Sequence, residues 1–411
     1  MKTTIWSFAA LFAALHVVAV AGFSSSSSAT TDTRRNENPC IVVVGKVIID
    51  DYRTPDQRVG DGIISVGGGG PQAAWGAAAA LAIIGSVDKS TDADQSSSKS
   101  RTSLPPKQAV NFLGPVGGDW SSTEQESLES IIGSAVESIQ LIKEPSLQTP
   151  RIQLWHNADQ EIQWTPLNDS WGSKGADSLW RNRPSAQDIL EAVGRNTDGS
   201  SDRLIDNLHM ILEVGATAAG GGRDSELLLD KTLMSQVRHV GIEPIAFPDE
   251  ATGKVSTEDS ASCRSRLLQY PKIDLVAPDR HLLEAMEIDS FWNQFDVAAR
   301  YGPQGSKLWN KQGTHGDMIT VPVASLATSD GQPVNPTGAG NAFSAAVSTC
   351  RAMGLTLVNS ACIATAIGAV FCEHEHIPPW TWETIDRIRR GAEEVTKKVI
   401  AKGTFLPESR E

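Results

Sequence analysis

The run Cys40-Ile41-Val42-Val43-Val44-Gly45 contains no charged or hydrogen-bonding side chain. A strand with one wet face would alternate. An unbroken β-branched run ending in glycine therefore predicts a strand buried on both faces, as in a parallel sheet. Ala109-Val110-Asn111-Phe112-Leu113-Gly114 has a similar composition, and shorter apolar runs at 209–214, 242–247, 273–276 and 318–323 predict further strands. Gly67-Gly68-Gly69-Gly70 leads into Gln72-Ala73-Ala74-Trp75-Gly76 and an alanine-rich run to Ile84, the pattern of a glycine loop feeding a buried helix. Leu128, Ile131, Ile132 and Val136 lie on one side of a helix predicted over 127–138. Between 151 and 164 the period shortens. Ile152 and Leu154, then Ile162 and Trp164, predict a half-exposed hairpin turning near 157–159, either a flap over a site or an edge ribbon. Strands alternating with helices give an α/β fold, a mostly parallel central sheet with helices on both faces. No repeat of fixed period interrupts it.

Composition narrows the partners. Among 411 residues, 40% are apolar and 21% charged, which excludes collagen, a coiled coil and a polytopic membrane protein. A net charge of −13 argues against nucleic acid, because phosphate binding needs a basic face that releases counterions. Arg387, Arg389, Arg390, Lys397 and Lys398 are interleaved with acids and read as a solvated helix face. The five cysteines (Cys40, Cys263, Cys350, Cys362 and Cys372) sit in apolar stretches and are expected to be buried and reduced. Cys372, His374 and His376 are spaced for neither one helical face nor a standard zinc pattern, so no metal ligand is assigned.

The N-terminus reads as an address. Residues 1–22 carry Lys2, an apolar run and Ala19-Val20-Ala21, the layout of a cleaved signal peptide too short to anchor in a membrane. Residues 23–39 are rich in serine, threonine and arginine and poor in acids, as in a transit peptide or a linker. Together they resemble the two-part plastid presequence of diatom-like algae; plain secretion is the alternative. The folded domain is expected over 40–411, with a disordered polar insertion at 86–108 and a lid near 151–165.

The segment Val334-Asn335-Pro336-Thr337-Gly338-Ala339-Gly340-Asn341-Ala342-Phe343 precedes an apolar helical sequence. It can present bare N–H groups at a helix start, where the dipole favours an anion and small residues let a phosphate approach; packing alone is the other use of such glycines. Gly45-Lys46 is followed by Val47, so the hydroxyl of a P-loop is missing, and no Gly-x-Gly-x-x-Gly occurs.

Pro336 to Phe343 resembles the Thr-Gly-Ala-Gly-Asp-x-Phe signature of the ribokinase/PfkB carbohydrate kinases, and other landmarks follow in that family's order. Gly45 with Asp50 is similar to its first strand and substrate-binding Asp. Gly67-Gly68-Gly69-Gly70-Pro71-Gln72 is similar to its sugar loop, with Gln72 for Asn. Gly114-Pro115-Val116-Gly117-Gly118-Asp119 resembles that family's Gly-x-Val-Gly-x-Asp turn, residues 273–286 the strand and loop with Asn-x-x-Glu, and Lys311-Gln312-Gly313-Thr314-His315-Gly316 its Lys-x-Gly-x-x-Gly near the nucleotide. The resemblance implies a ribokinase-like domain with a small β lid that phosphorylates a sugar or nucleoside hydroxyl with ATP and Mg²⁺; a homodimer is compatible with it. It also implies Gly338, Ala339, Gly340 and Asn341 at the reacting phosphoryl group, with Asp50, Gly69, Gly70 and Gln72 on the acceptor. Asp279, Gly313, Gly316 and Thr337 would face the nucleotide. Three positions depart from the pattern: Asn341 replaces the catalytic Asp, Leu282 replaces the Glu linked to Mg²⁺, and Gln72 replaces Asn. An atypical fungal and plant branch is similar in its Asn and in Glu243-Pro244-Ile245. A neutral amide is no base, so a non-catalytic binding protein is the competing reading.

Processing is expected to remove the chain before Phe23 and again before Cys40. N-terminal sequencing checks this; a native chain starting at Met1 contradicts it.

Overall fold

The computed structural model describes residues 39–52, 63–88, 103–156, 162–167, 184–194, 204–213, 227–245, 255–286, 293–311, 318–328, 331 and 333–402. Residues 1–38, where the signal and transit segments are expected, 89–102, the expected 157–159 turn, Gly313 and Gly316 lie outside them.

The first apolar run forms β1 (Ile41–Val44), wholly buried between two parallel neighbours, β4 (Gln108–Gly117) and β8 (Ile205–Glu213). Successive side chains of a strand point to opposite faces. Ile41 and Val43 accordingly join one core, Val42 and Val44 the other. Beyond β8 come β9 (Val237–Ile245), β10 (Leu275–Val276) and β11 (Asp296–Arg300), all parallel. The edge strands β12 (Ser306–Trp309) and β13 (Ile319–Val321) are antiparallel, and β5 (Val136–Glu144) flanks β4 on the far side.

One face carries α1 (Gly69–Asp88), α2 (Ser122–Ile132), α7 (Ala339–Ala352), α8 (Leu357–Cys372) and α9 (Trp382–Ala401). The other carries α3 (Ala186–Gly194), α4 (Lys231–Gln236), α5 (Thr257–Gln269) and α6 (Arg280–Ala285). This is the α/β architecture expected, a mostly parallel sheet with helices on both faces. No described helix is long and apolar enough to cross a membrane.

A second sheet runs β3 (Ile63–Gly67), β2 (Ile48–Tyr52), β6 (Arg151–His156) and β7 (Ile162–Pro166). The hairpin expected at 151–164 is β6–β7, but it is joined to a second, unexpected hairpin, β2–β3, through a parallel β2–β6 pair. Asp50 therefore stands on the small sheet, not on the first strand of the large one. The turn at 117–119 holds this sheet's connector: Thr149 donates its N–H to Asp119 Oδ1 (2.6 Å), and Gly117 donates to Thr149 Oγ1 (2.9 Å).

Two expectations change. The helix placed over 127–138 runs instead from Ser122 to Ile132, opened by a reciprocal cap between Ser121 and Glu124 and closed at Gly133. Val136 begins β5; it shares helical spacing with Ile132 only by coincidence. The insertion is also shorter than 86–108. Residues 86–88 complete α1, and Pro105 is buried, its carbonyl accepting from Trp380 Nε1 (3.2 Å). Four cysteines are buried as expected, whereas Cys372 is only partly so. Burial, assisted by Glu373, still pushes its thiol up to about 11.

Helices α1 and α7 cross where they have almost no side chain. A Cβ on Gly76 would run into the backbone carbonyl of Ala342, leaving no flexible group to yield. Gly76→Ala is predicted to lower stability by about 1–3 kcal/mol through overpacking. Gly85→Ala on the same helix, where a Cβ meets open space, should raise it by about 0.4–1 kcal/mol. Urea unfolding midpoints of the two variants should move in opposite directions.

Candidate functional site

The site lies where the two sheets meet. Chain leaves the large sheet at Val44 to enter β2, and returns from β3 straight into α1. That reversal requires backbone to touch backbone. Gly70 donates its N–H to Lys46 O (2.9 Å), and a Cβ on Gly45 would sit 2.6 Å from Gly70 Cα. Gly68 takes φ +91°, which only glycine adopts without strain. Gly69 and Gly70 thus shape the corner, and a Cβ on Gly69 would lie 3.3 Å from Asn341 Nδ2.

Asp50 and Gln72 project into this corner. Asp50 Oδ2 fills the space where Gly67 would carry a Cβ, with Gln72 Nε2 beyond it. Burial pushes the Asp50 carboxyl up to about 7, and a hydrogen bond from Gly68 N–H offsets only part of that. Gln72 lies across Gly338, where a side chain would collide with its amide. From there Gln72 Oε1 accepts from Asn341 Nδ2 at 2.6 Å. Acceptor-side and phosphate-side residues of the sequence reading are therefore one connected set.

Gly338 caps α7 in the left-handed conformation (φ +87°). Ala339 donates its N–H to Pro336 O (3.2 Å), so this group closes a turn and does not serve an anion as expected. The first-turn N–H groups of Gly340 and Asn341 have no acceptor among the described residues. Thr337 donates to Asn335 Oδ1 (2.9 Å), while Asn335 Nδ2 donates to Glu375 O (2.6 Å). Asn335 thereby fastens the cradle to the end of α8; its place beside Pro336 was the only sequence signal for it.

Under the cradle the sheet is polar. A Cβ on Gly340 would lie 2.6 Å from Arg300 Nη1, so the guanidinium occupies the bare side of that glycine. Arg300 Nη1 also donates to the buried carboxylate of Glu243, whose other oxygen is 3.9 Å from His209 Nε2. Burial pushes the Glu243 carboxyl up, but Arg300 and His209 outweigh it and the net shift is downward. Further along α7, Ser348 donates to Asn207 Oδ1 (2.9 Å), which also meets His239 Nδ1 at 3.0 Å. Burial pulls the His239 pKa down to about 4, leaving a neutral ring. Sequence inspection missed Arg300, His209 and the role of Glu243.

Asp279, expected to face the nucleotide, serves as a helix cap. Its Oδ1 accepts from Leu282 N–H (2.8 Å) as the N-cap of α6, and Leu282 is buried in the apolar core. Among the described residues no group of three or more His, Cys, Asp or Glu side chains could hold a metal, so those at Asp279 and Leu282 do not fit the Mg²⁺ that the resemblance implies.

No protein-family model matches the sequence, and no curated protein does. Solved structures do match. Phosphofructokinase-2 from Escherichia coli, in complex with substrates and products, is 12% identical with TM-score 0.51, covering 87% of this chain and 99% of its own. Methanocaldococcus jannaschii nucleoside kinase, an archaeal member of the ribokinase family, is 16% identical with TM-score 0.50, covering 85% and 98%. Burkholderia thailandensis nucleoside kinase in complex with inosine is 12% identical with TM-score 0.50, covering 86% and 98%. At such identities the likeness carries the fold, which is that of the ribokinase-like kinases.

Proposed function

We propose that this chain transfers a phosphoryl group from ATP to a hydroxyl of a sugar or nucleoside. The observation that carries the reading is the continuity from Asp50 through Gln72 to Asn341 and the free N–H groups of α7. A hydroxyl acceptor and an anion held at those two ends would meet over Asn341. Preorganised N–H donors stabilise charge on a transferring phosphoryl group, and most of the catalysis in such transfers is positioning and electrostatics. Asn341 cannot take the hydroxyl proton. The enzyme reading is therefore of a slow kinase. A ligand-binding protein that has lost the chemistry is the second reading, favoured by Asn341 being bound to Gln72.

Asn341→Asp restores a carboxylate beside the cradle. A general base contributes about 10²- to 10⁴-fold, so turnover should rise by up to that factor. ATP consumption over a panel of sugars and nucleosides measures it. A variant that binds ATP yet phosphorylates nothing leaves the binding reading. Leu282→Glu is no fair companion, because it would bury a carboxylate in the apolar core.

Asp50 gives a second expectation. Its carboxyl titrates near 7 when folded against an ordinary 3.8, so between those values the folded chain keeps a proton that the unfolded chain has lost. The group's stability contribution is greatest below about pH 4 and is lost as pH rises towards 7. Asp50→Asn should match wild type near pH 4 and exceed it above pH 7, by up to roughly 4 kcal/mol. Above pH 7, where Asp50 is ionised, the variant should also weaken acceptor binding by removing a charged hydrogen-bond acceptor. Urea midpoints at pH 5 and pH 8 check the slope; equal slopes in both proteins contradict it.

A further inference from the structure

Buried ion pairs contribute little to stability compared with apolar replacements, because both charges must be stripped of water. One lies directly beneath the cradle. Glu243 stands on β9 and Arg300 ends β11, so the guanidinium reaches back over β10 to the carboxylate. Glu243 is wholly buried, and its second oxygen has no hydrogen-bond partner among the described residues. A guanidinium carries five donors. Arg300 uses one, on Glu243, and its buried Nε finds no acceptor among the described residues. Its Nη1 edge lies against Gly340, whose own N–H is also free. An arginine with spare donors thus borders backbone N–H groups of a helix start, at a glycine that keeps them in contact. Meanwhile the position expected to hold a metal carries Leu282.

We propose that Arg300, positioned by Glu243, is the phosphate-binding cation of this site, and that the chain binds the phosphate end of its ligand without a metal ion held by protein. The inference deepens the kinase reading and rests on it for the nucleotide, though not for the phosphate. A planar fork with two edges suits this task, because it can donate to Glu243 and to a phosphate oxygen together. Gly340 then has a second reason to be glycine: any side chain would push the guanidinium away.

The test is calorimetric titration of the purified chain with ADP and, separately, with inorganic pyrophosphate, both in EDTA. Wild type should bind both. Arg300→Met should weaken each by about 10- to 100-fold, the range for a charge-assisted hydrogen bond. Because Arg300→Met leaves Glu243 buried alone and can unfold the chain, the double variant Arg300→Met/Glu243→Met is measured beside it. Its urea midpoint reports folding. Arg351→Met, which breaks the Arg351–Asp296 pair (2.7 Å) at the other end of α7, should leave both affinities unchanged. Binding by wild type only after Mg²⁺ is added overturns the inference and spares the kinase reading. Unchanged affinity in a folded double variant also overturns it. ADP that fails to bind with or without Mg²⁺ removes the kinase reading; pyrophosphate binding lost with Arg300 would still uphold the inference. Wild type that binds neither probe in EDTA overturns it.

Discussion

Everything at this site depends on backbone coming close to backbone. Gly70 against Lys46 O and Gly76 against Ala342 bring the first turns of α1 and α7 to the ends of the central strands. Side chains of ordinary size would hold the helices several ångströms apart. Gln72 could then not lie on Gly338, nor reach Asn341. The glycines and alanines of α1 are thus more than helix filler. They set the distance between Gln72 and the first turn of α7.

The same closeness makes the underside of α7 unusual. A helix packed on a central sheet is normally met by branched apolar side chains. Here Gly340, Ser344 and Ser348 recur at four-residue intervals, and Ser348 would collide with any side chain at Gly241. Below them lie Asn207, His209 and Glu243, fully buried, and the half-buried His239. Such a row costs more desolvation than an apolar one, and hydrogen bonds among its members offset part of the cost. Ser348, Asn207 and His239 are paired in this way, while the Glu243 end is satisfied only by Arg300 and a distant imidazole. The polar seam is complete at the middle of α7 and open at the cradle, where a ligand would come.

What could be read from sequence follows from how far each signal reaches. A strand buried on both faces is a local fact about Ile41 to Val44, and the chain states it locally. Glycine loops likewise report backbone needs, so Gly338 and Gly340 were legible. The β11 strand, Asp-Val-Ala-Ala-Arg, was not: it is short, carries small residues and ends in charges, because its neighbours supply the burial. β2 was hidden by its two aspartates, both of which are buried. The Arg300–Glu243–His209 cluster had no sequence pattern at all. Its members come from β11, β9 and β8, and only parallel register brings them together. Asp279 shows the converse. The resemblance placed it at the nucleotide, whereas its hydrogen bond to Leu282 N–H makes it a helix cap.

Two positions where the resembled pattern has a carboxylate, Asn341 and Leu282, are uncharged here. Beneath the cradle the charge of Arg300 is balanced by the buried Glu243 carboxylate, which leaves its remaining donors beside Gly340. The N-terminus of α7 contributes about half a positive charge more. Removing carboxylates strengthens the attraction of the cradle for phosphate, since each would repel it at short range in a partly dry site. It also removes the groups that accept a proton or hold a divalent cation. Binding and chemistry therefore move in opposite directions. A site of this kind can keep its grip on a phosphate while its rate falls, because grip depends on net charge and rate on where a proton can go.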